Sequence, residues 1–128
     1  MTDGKSMAQR VAEARECIPE IDVEALAARK SDGSCLHIDV REPDEWARGR
    51  IPGVVLVPLA SIESDIAAKA FDGAITPDHL DQPIVVSCRS GQRSLVGADT
   101  LRQMGFRDVV SLAGGIIAWQ AAGRPIES

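Results

Sequence analysis

Short apolar runs and stretches of helical periodicity alternate along the chain. Four runs rich in β-branched residues, at 35–40, 54–57, 84–87 and 109–112, predict buried strands, and residues 20–21 predict a short edge strand. Helical stretches lie between these runs. The alternation predicts an α/β fold, with a three-layer, open and mostly parallel sheet of about five strands and helices on both faces.

The helical stretches carry the residues that usually start and stop a helix. Apolar positions at helical spacing from Met7 to Ile18 predict a first helix that stops before Pro19. The later helices are predicted from Asp22 to about Lys30, around Trp46, from Ser61 to Ala70, as a short turn from Thr76, from about Arg93 to Met104, and over 116–122. We interpret 1–19 as an N-terminal extension with one helix, disordered over 1–6, and 20–128 as a single domain.

Composition and charge exclude several classes of protein. A length of 128 residues suits one domain with a real core, and a hydrophobic share of 45% is that of a soluble globular protein. The net charge of −5 and the lack of a basic run argue against nucleic-acid binding. No apolar stretch approaches the ~20 residues that span a bilayer, and residues 1–7 lack the apolar part of a secretory signal. We therefore expect no membrane association and a cytoplasmic location.

The three cysteines do not predict a disulfide framework, because they are odd in number and widely spaced. We expect Cys17 and Cys35 to be ordinary buried or half-buried thiols. No pair of cysteine or histidine residues has metal-ligand spacing, so the sequence predicts neither a metal nor a cofactor. His37 falls inside a predicted strand, and we interpret it as a packed, hydrogen-bonded residue.

Cys88 stands where a predicted strand turns into a predicted helix. In an open α/β sheet this junction, at the carboxyl end of a strand, is where ligands bind. The unpaired N–H groups of the turn, together with Arg89 and Arg93, would stabilise a thiolate there and would also bind an anionic substrate. The alternative is that Cys88 is a small apolar residue at the end of a strand. The two arginines and Gly91 favour a reactive cysteine.

Charged residues also follow the predicted strand at 35–40. Asp39, Arg41 and Glu42 reach the same sheet edge as Cys88, and two interpretations stay open. The first is a charged scaffold beneath the Cys88 loop, in which Asp39 or Glu42 holds an arginine by charge-assisted hydrogen bonds. In the second, the acidic residues cap the helix that follows. We expect structural support from this segment rather than direct catalysis.

Five segments resemble, in order, the landmarks of rhodanese-like sulfurtransferases. They are DVREPDEW at 39–46, RIPG at 50–53, VPL at 57–59, CRSGQRS at 88–94 and LAGGIIAW at 112–119. The resemblance runs from about residue 21 to residue 126. One departure is Arg50, since the family commonly has His there, and we interpret it as a tolerated change of the scaffold.

The resemblance implies sulfur transfer through a persulfide on Cys88. The implied substrate-binding residues are those of the loop, namely Arg89, Ser90, Gly91, Gln92, Arg93 and Ser94. The arginines would attract the sulfonate of thiosulfate, and Gly91 would let the backbone curl inward. The implied partners are a small anionic sulfur donor and a thiol acceptor, with a protein sulfur acceptor also open. No cofactor is implied.

Two other classes remain open. Cysteine phosphatases and arsenate reductases also hold a thiolate in an anion-binding loop. Their loops follow a Cys-x5-Arg pattern, with five residues between the cysteine and the arginine, whereas four residues separate Cys88 from Arg93 here. The shorter loop favours a persulfide sulfur over a tetrahedral phosphate. The other class is a persulfide carrier or regulatory binding module that acts with a protein partner. Non-catalytic relatives usually lack the nucleophile, which this chain retains.

Overall fold

The computed structural model describes residues 4–128, which form five strands and six α-helices. The strands are β1 (Glu20–Ile21), β2 (Leu36–Asp39), β3 (Val55–Leu56), β4 (Ile84–Ser87) and β5 (Val109–Leu112). The helices are α1 (Met7–Cys17), α2 (Val23–Asp32), α3 (Pro43–Arg48), α4 (Ile62–Ala70), α5 (Gln92–Gln103) and α6 (Gly115–Ala121). Two 3₁₀ turns lie at Leu59–Ser61 and Pro77–Asp81.

The strands pair in parallel, in the order β1-β5-β4-β2-β3. Because side chains alternate along a strand, Ile84 and Val86 enter one hydrophobic core and Val85 enters another. Helices α1, α4 and α5 pack on the first of these cores, and helices α2 and α6 pack on the second. The predicted α/β class, with a parallel sheet and helices on both faces, is confirmed.

The register of the sheet brings the charged residues and the cysteine to one edge. Asp39 on β2 pairs with Ser87 on β4, so Arg41 and Cys88 both follow the carboxyl ends of neighbouring strands. Strand β5 lies on the other side of β4, and the turn that follows β5 reaches the same edge. This edge is where an open α/β sheet binds its ligands.

The first helix packs on the first of the two cores. Ala14 and Ile18 are buried together with residues of α4 and α5. Ser6 caps the helix by accepting a hydrogen bond from Gln9 N at 3.1 Å, so the expectation of disorder is wrong at that residue. Residues 1–3, which share that expectation, lie outside the described residues.

The remaining thiols lie in different surroundings. Cys35 is half-buried as expected, but Cys17, the last residue of helix α1, is exposed and not buried or half-buried as predicted. Within residues 4–128, no group of His, Cys, Asp and Glu side chains could hold a metal ion. None of the helices in this range is both long and apolar enough to cross a membrane.

Candidate active site

Cys88 follows strand β4 and begins the loop that leads into helix α5. Strand β4 is buried along its whole length, and Cys88 itself is only 1% exposed. At the N-cap of α5, Gly91 has φ +99°, a left-handed conformation that L side chains rarely adopt. A Cβ at this position would also lie 3.0 Å from Gly114 N. The tight turn therefore requires glycine at position 91.

Hydrogen-bond donors surround the sulfur of Cys88. Gly91 N and Ser94 N donate to Sγ at 3.1 and 3.3 Å. Ser94 Oγ lies 3.4 Å from the same sulfur and 2.8 Å from Ser111 Oγ on strand β5. The two N–H groups belong to the loop and to the first turn of α5, where the backbone has no helical partner. They would stabilise a thiolate at Cys88.

Arg93 forms a bidentate ion pair with Glu45 of helix α3. Its terminal nitrogens donate to the two carboxylate oxygens at 2.7 and 2.9 Å. The hydrogen bonds from Arg93 lower the pKa of Glu45 to about 2. The same contact raises the pKa of Arg93, and attraction to Cys88 contributes in the same direction. Arg93 therefore keeps its charge near the cysteine while two of its donors are engaged by Glu45.

Asp39 and Arg41 form a buried ion pair at the same edge. Arg41 Nε donates to both carboxylate oxygens at 3.0 and 2.9 Å, and Nη2 donates to Oδ2 at 2.8 Å. Other donors of Arg41 reach the backbone at Glu45 O (3.4 Å) and Gly49 O (2.8 Å). Asp39 thus orients Arg41, and Arg41 anchors the helix that carries Glu45.

Glu42 has a different place from Asp39. It is exposed at the N-cap of α3, and its backbone N donates to Glu45 Oε1 at 3.1 Å. Its carboxylate makes no ion pair with an arginine in the described part of the chain. Of the two interpretations of this segment, support of an arginine therefore describes Asp39, and capping of the next helix describes Glu42.

Arg89, Ser90 and Gln92 lie on the exposed side of the loop. Their side chains form no hydrogen bond or ion pair with residues 4–128. Arg89 also lines a cavity of about 260 Å³ beside the loop. The other residues around this cavity are Arg41, Glu45, Arg48, Gly49, Ile116, Ile117 and Gln120. With three guanidinium groups and one carboxylate on its walls, the cavity suits an anion.

Helix α6 closes on the loop from the side of strand β5. Ile116 N donates to Cys88 O at 2.9 Å, and Ile117 N donates to Arg89 O at 3.1 Å. A Cβ on Gly115 would overlap both of these carbonyl oxygens. The sequence analysis predicted neither this contact nor the role of Glu45. The sequence offers two signals, a glycine pair after a strand and an acidic residue on a short helix. Neither signal identifies the residue with which the contact is made.

His37 supports the residue that precedes the cysteine. Its Nε2 lies 2.9 Å from Ser87 Oγ, and its Nδ1 lies 3.4 Å from Lys30 Nζ. Burial, with a contribution from the charge of Lys30, lowers the pKa of His37 to about 3. The ring is therefore neutral at physiological pH. The prediction of a packed, hydrogen-bonded histidine is confirmed.

Known proteins with a similar sequence or fold point to one family. The family model described as "Rhodanese-like domain" matches residues 22–122. A sulfurtransferase of Allochromatium vinosum is 37% identical over 110 residues, which cover 85% of this chain and 94% of that protein. The thiosulfate sulfurtransferase GlpE of Pseudoalteromonas translucida is 37% identical over 84 residues, covering 66% of this chain and 71% of that protein.

Among solved structures, a protein of Rhodopseudomonas palustris has a TM-score of 0.81 at 28% identity and covers 99% of this chain and 98% of that one. It is described as a protein of unknown function and a possible tyrosine phosphatase. The similarity extends over α1 as well as over the residues matched by the family model.

Proposed function

Since this chain belongs to the Rhodanese-like domain family, we propose that it moves a sulfane sulfur from thiosulfate, or a similar anionic donor, to a thiophilic acceptor through a persulfide on Cys88. The observation that carries the proposal is the environment of the Cys88 sulfur, to which Gly91 N and Ser94 N donate at 3.1 and 3.3 Å. A thiolate held by backbone donors is a nucleophile that needs no separate general base.

In the first step the Cys88 thiolate attacks the outer sulfur of thiosulfate. A new S–S bond forms at Cys88 as the S–S bond of thiosulfate breaks, and sulfite leaves with the electron pair of that bond. The product is a Cys88 persulfide whose outer sulfur carries negative charge. Preorganised N–H groups of the loop would stabilise this charge, because their dipoles already point towards the cysteine.

In the second step the acceptor removes the outer sulfur. Cyanide, the acceptor of a laboratory assay, attacks that sulfur through its carbon, and thiocyanate leaves. The electron pair of the broken S–S bond returns to Cys88 and restores the thiolate. A cellular thiol would accept the sulfur in the same way and become a persulfide itself. The cycle balances with these reactants alone.

The charges around the loop support an anionic donor. The side chain of Arg89 is exposed at the cavity and forms no hydrogen bond or ion pair with the described residues, so its guanidinium is available to the sulfonate end of thiosulfate. Arg93 is engaged by Glu45, and we assign it a supporting role through its charge and its hold on the loop. Ser90 and Gln92 are exposed and can add hydrogen bonds to the donor.

We also propose that the reaction takes place in the cytoplasm. All three cysteines are free, which fits the reducing conditions of the cytoplasm. The acceptor there would be a small thiol or a protein thiol.

A cysteine phosphatase is the second candidate, because the Rhodopseudomonas palustris protein is described as a possible tyrosine phosphatase. The loop argues against this activity. Four residues separate Cys88 from Arg93, and the guanidinium of Arg93 binds Glu45. We expect no Cys88-dependent hydrolysis of an aryl phosphate, and appreciable turnover that is lost in Cys88→Ser would favour the phosphatase.

The proposed function is tested by assaying thiocyanate formation from thiosulfate and cyanide, with Cys88→Ser as the matched variant. We expect turnover by the wild type, none by Cys88→Ser at the same melting temperature, and a mass increase of one sulfur atom on the Cys88 peptide after thiosulfate alone. Residual turnover in Cys88→Ser would rule out this cysteine as the nucleophile. A persulfide that forms but is not passed to cyanide would indicate a carrier that acts with a protein partner.

A further inference from the structure

Arg50 connects the segment around Glu127 with helix α3. The backbones of Arg50 and Glu127 bond to each other in both directions, at 2.8 and 2.9 Å, and Arg50 Nε lies 3.5 Å from Glu127 Oε1. The guanidinium carbon of Arg50 lies 3.8 Å from the centroid of the Trp46 ring, and Nη1 donates to Trp46 O at 3.4 Å. One side chain therefore contacts two segments that are distant in the sequence.

Helix α3 depends on such contacts for its orientation. It has six residues, none of them buried, and helices of this length are not stable in water by themselves. Trp46 Nε1 is buried and has no hydrogen-bond partner in the described chain, so packing rather than a polar contact holds the indole. A guanidinium within ~6 Å of an indole face is attracted to it. Arg50 therefore holds Trp46, while Arg41 holds the backbone of the same helix.

The same helix carries Glu45, the neighbour of Trp46. Glu45 accepts both hydrogen bonds from Arg93, and Arg93 is close enough to Cys88 for their charges to interact. A shift of α3 that displaced Trp46 would displace Glu45 with it, because a short helix moves as one body. Contacts thus run without a break from Arg50 through α3 to the loop of the cysteine.

We propose that Arg50 is a positioning residue for the Cys88 loop. By stacking on Trp46 it sets the orientation of α3 in which Glu45 can hold Arg93 beside the cysteine. The consequence for sulfur transfer rests on the proposed function, whereas the reactivity of Cys88 can be measured without it. The proposal gives a role to the position at which this chain departs from the usual histidine of the family.

The test is a double-mutant cycle on Arg50→Gln and Arg93→Gln. The first readout is the rate at which iodoacetamide alkylates Cys88 at neutral pH, followed by peptide mass so that Cys17 and Cys35 are counted separately. We expect Arg50→Gln to lower this rate about threefold in the wild type and to leave it unchanged in the Arg93→Gln background. The kcat/KM for thiosulfate should show the same coupling. Absence of thiosulfate turnover in every protein would reject the proposed function alone, since alkylation still decides the role of Arg50.

Two further variants, one additional test and one control, complete the experiment. Glu127→Gln removes only an exposed partner of Arg50, and a smaller decrease in the same direction is expected. Arg124→Gln is the matched control, because Arg124 also forms an ion pair with a glutamate, Glu24 at 2.8 Å, but forms no hydrogen bond or ion pair with α3. It should leave the rate unchanged. Equal losses from Arg50→Gln in both backgrounds, or no loss in the wild type, would overturn the proposal.

Discussion

Glu45 and Arg93 lie 48 residues apart in the sequence and are joined by two hydrogen bonds of 2.7 and 2.9 Å. The contact links the short helix α3 to the first turn of α5, which supplies a donor to the cysteine sulfur. Since the buried pair of Asp39 and Arg41 anchors α3, the charged segment after β2 and the cysteine loop after β4 form one connected unit.

The pair of Glu45 and Arg93 predicts a pH dependence of stability. Hydrogen bonds from Arg93 lower the pKa of Glu45 from 4.5 to about 2 on folding. An acid with a depressed folded-state pKa stabilises the native protein above its unfolded pKa, and this contribution is lost as the pH falls to the folded pKa. We expect the free energy of unfolding of Glu45→Gln, measured with urea, to be below that of the wild type at neutral pH. The difference should shrink between pH 4.5 and pH 2. A constant difference over this range would contradict the prediction.

The low pKa of His37 predicts a second pH dependence of stability, over a different pH range. Its pKa falls from 6.5 to about 3 through burial, so between these values the unfolded chain binds a proton that the native protein does not. Stability should therefore fall as the pH is lowered through this range. We expect a shallower fall in His37→Gln. Equal slopes in the wild type and in His37→Gln would show that His37 is not the titrating group.

Gly115→Ala should disturb the site beyond the usual cost of replacing a left-handed glycine. Gly115 and Gly123 have φ of +58° and +74°, so alanine is strained at both. At Gly115 the added Cβ would overlap Cys88 O and Arg89 O, whereas a Cβ added at Gly123 would meet no heavy atom within 4 Å beyond its own residue and its chain neighbours. We expect Gly123→Ala to lower the free energy of unfolding by about 1 kcal/mol. Gly115→Ala should lower it further and slow sulfur transfer. Equal effects of the two substitutions would mean that the loop moves aside without cost.

Arg89→Gln should raise the KM for thiosulfate with little change in kcat, as expected when ground-state binding of an anion is lost. We expect an increase of about tenfold, because a hydrogen bond to a charged group contributes about 1.5 kcal/mol. Arg107→Gln is the matched control, since it removes the same charge from an exposed ion pair with Asp81. Asp81 precedes strand β4 and Arg107 precedes strand β5, so this pair lies at the edge of the sheet opposite to Cys88. Steady-state kinetics at constant ionic strength compare the two. An unchanged KM in Arg89→Gln would place this arginine outside the substrate site.

The unit around Cys88 could be predicted because its determinants are local. A β-branched run, a glycine in the turn and apolar residues at helical spacing predicted β4, the loop and α5. The helix begins at Gln92 instead of Arg93, a difference of one residue. The predicted strand at 54–57 is reduced to Val55–Leu56, because β3 pairs with β2 over only these residues.

The sequence by itself determined the alternation of strands and helices, the position of Cys88 at the carboxyl edge of the sheet, and the family resemblance. Only the tertiary structure decided which groups meet there. Arg93 binds Glu45, Arg50 stacks on Trp46, and Gly115 closes against Cys88. The physical reason is that periodicity and turn conformation depend on neighbours within a few residues. A contact across 48 residues depends instead on how a short helix packs against the sheet, which no local pattern records.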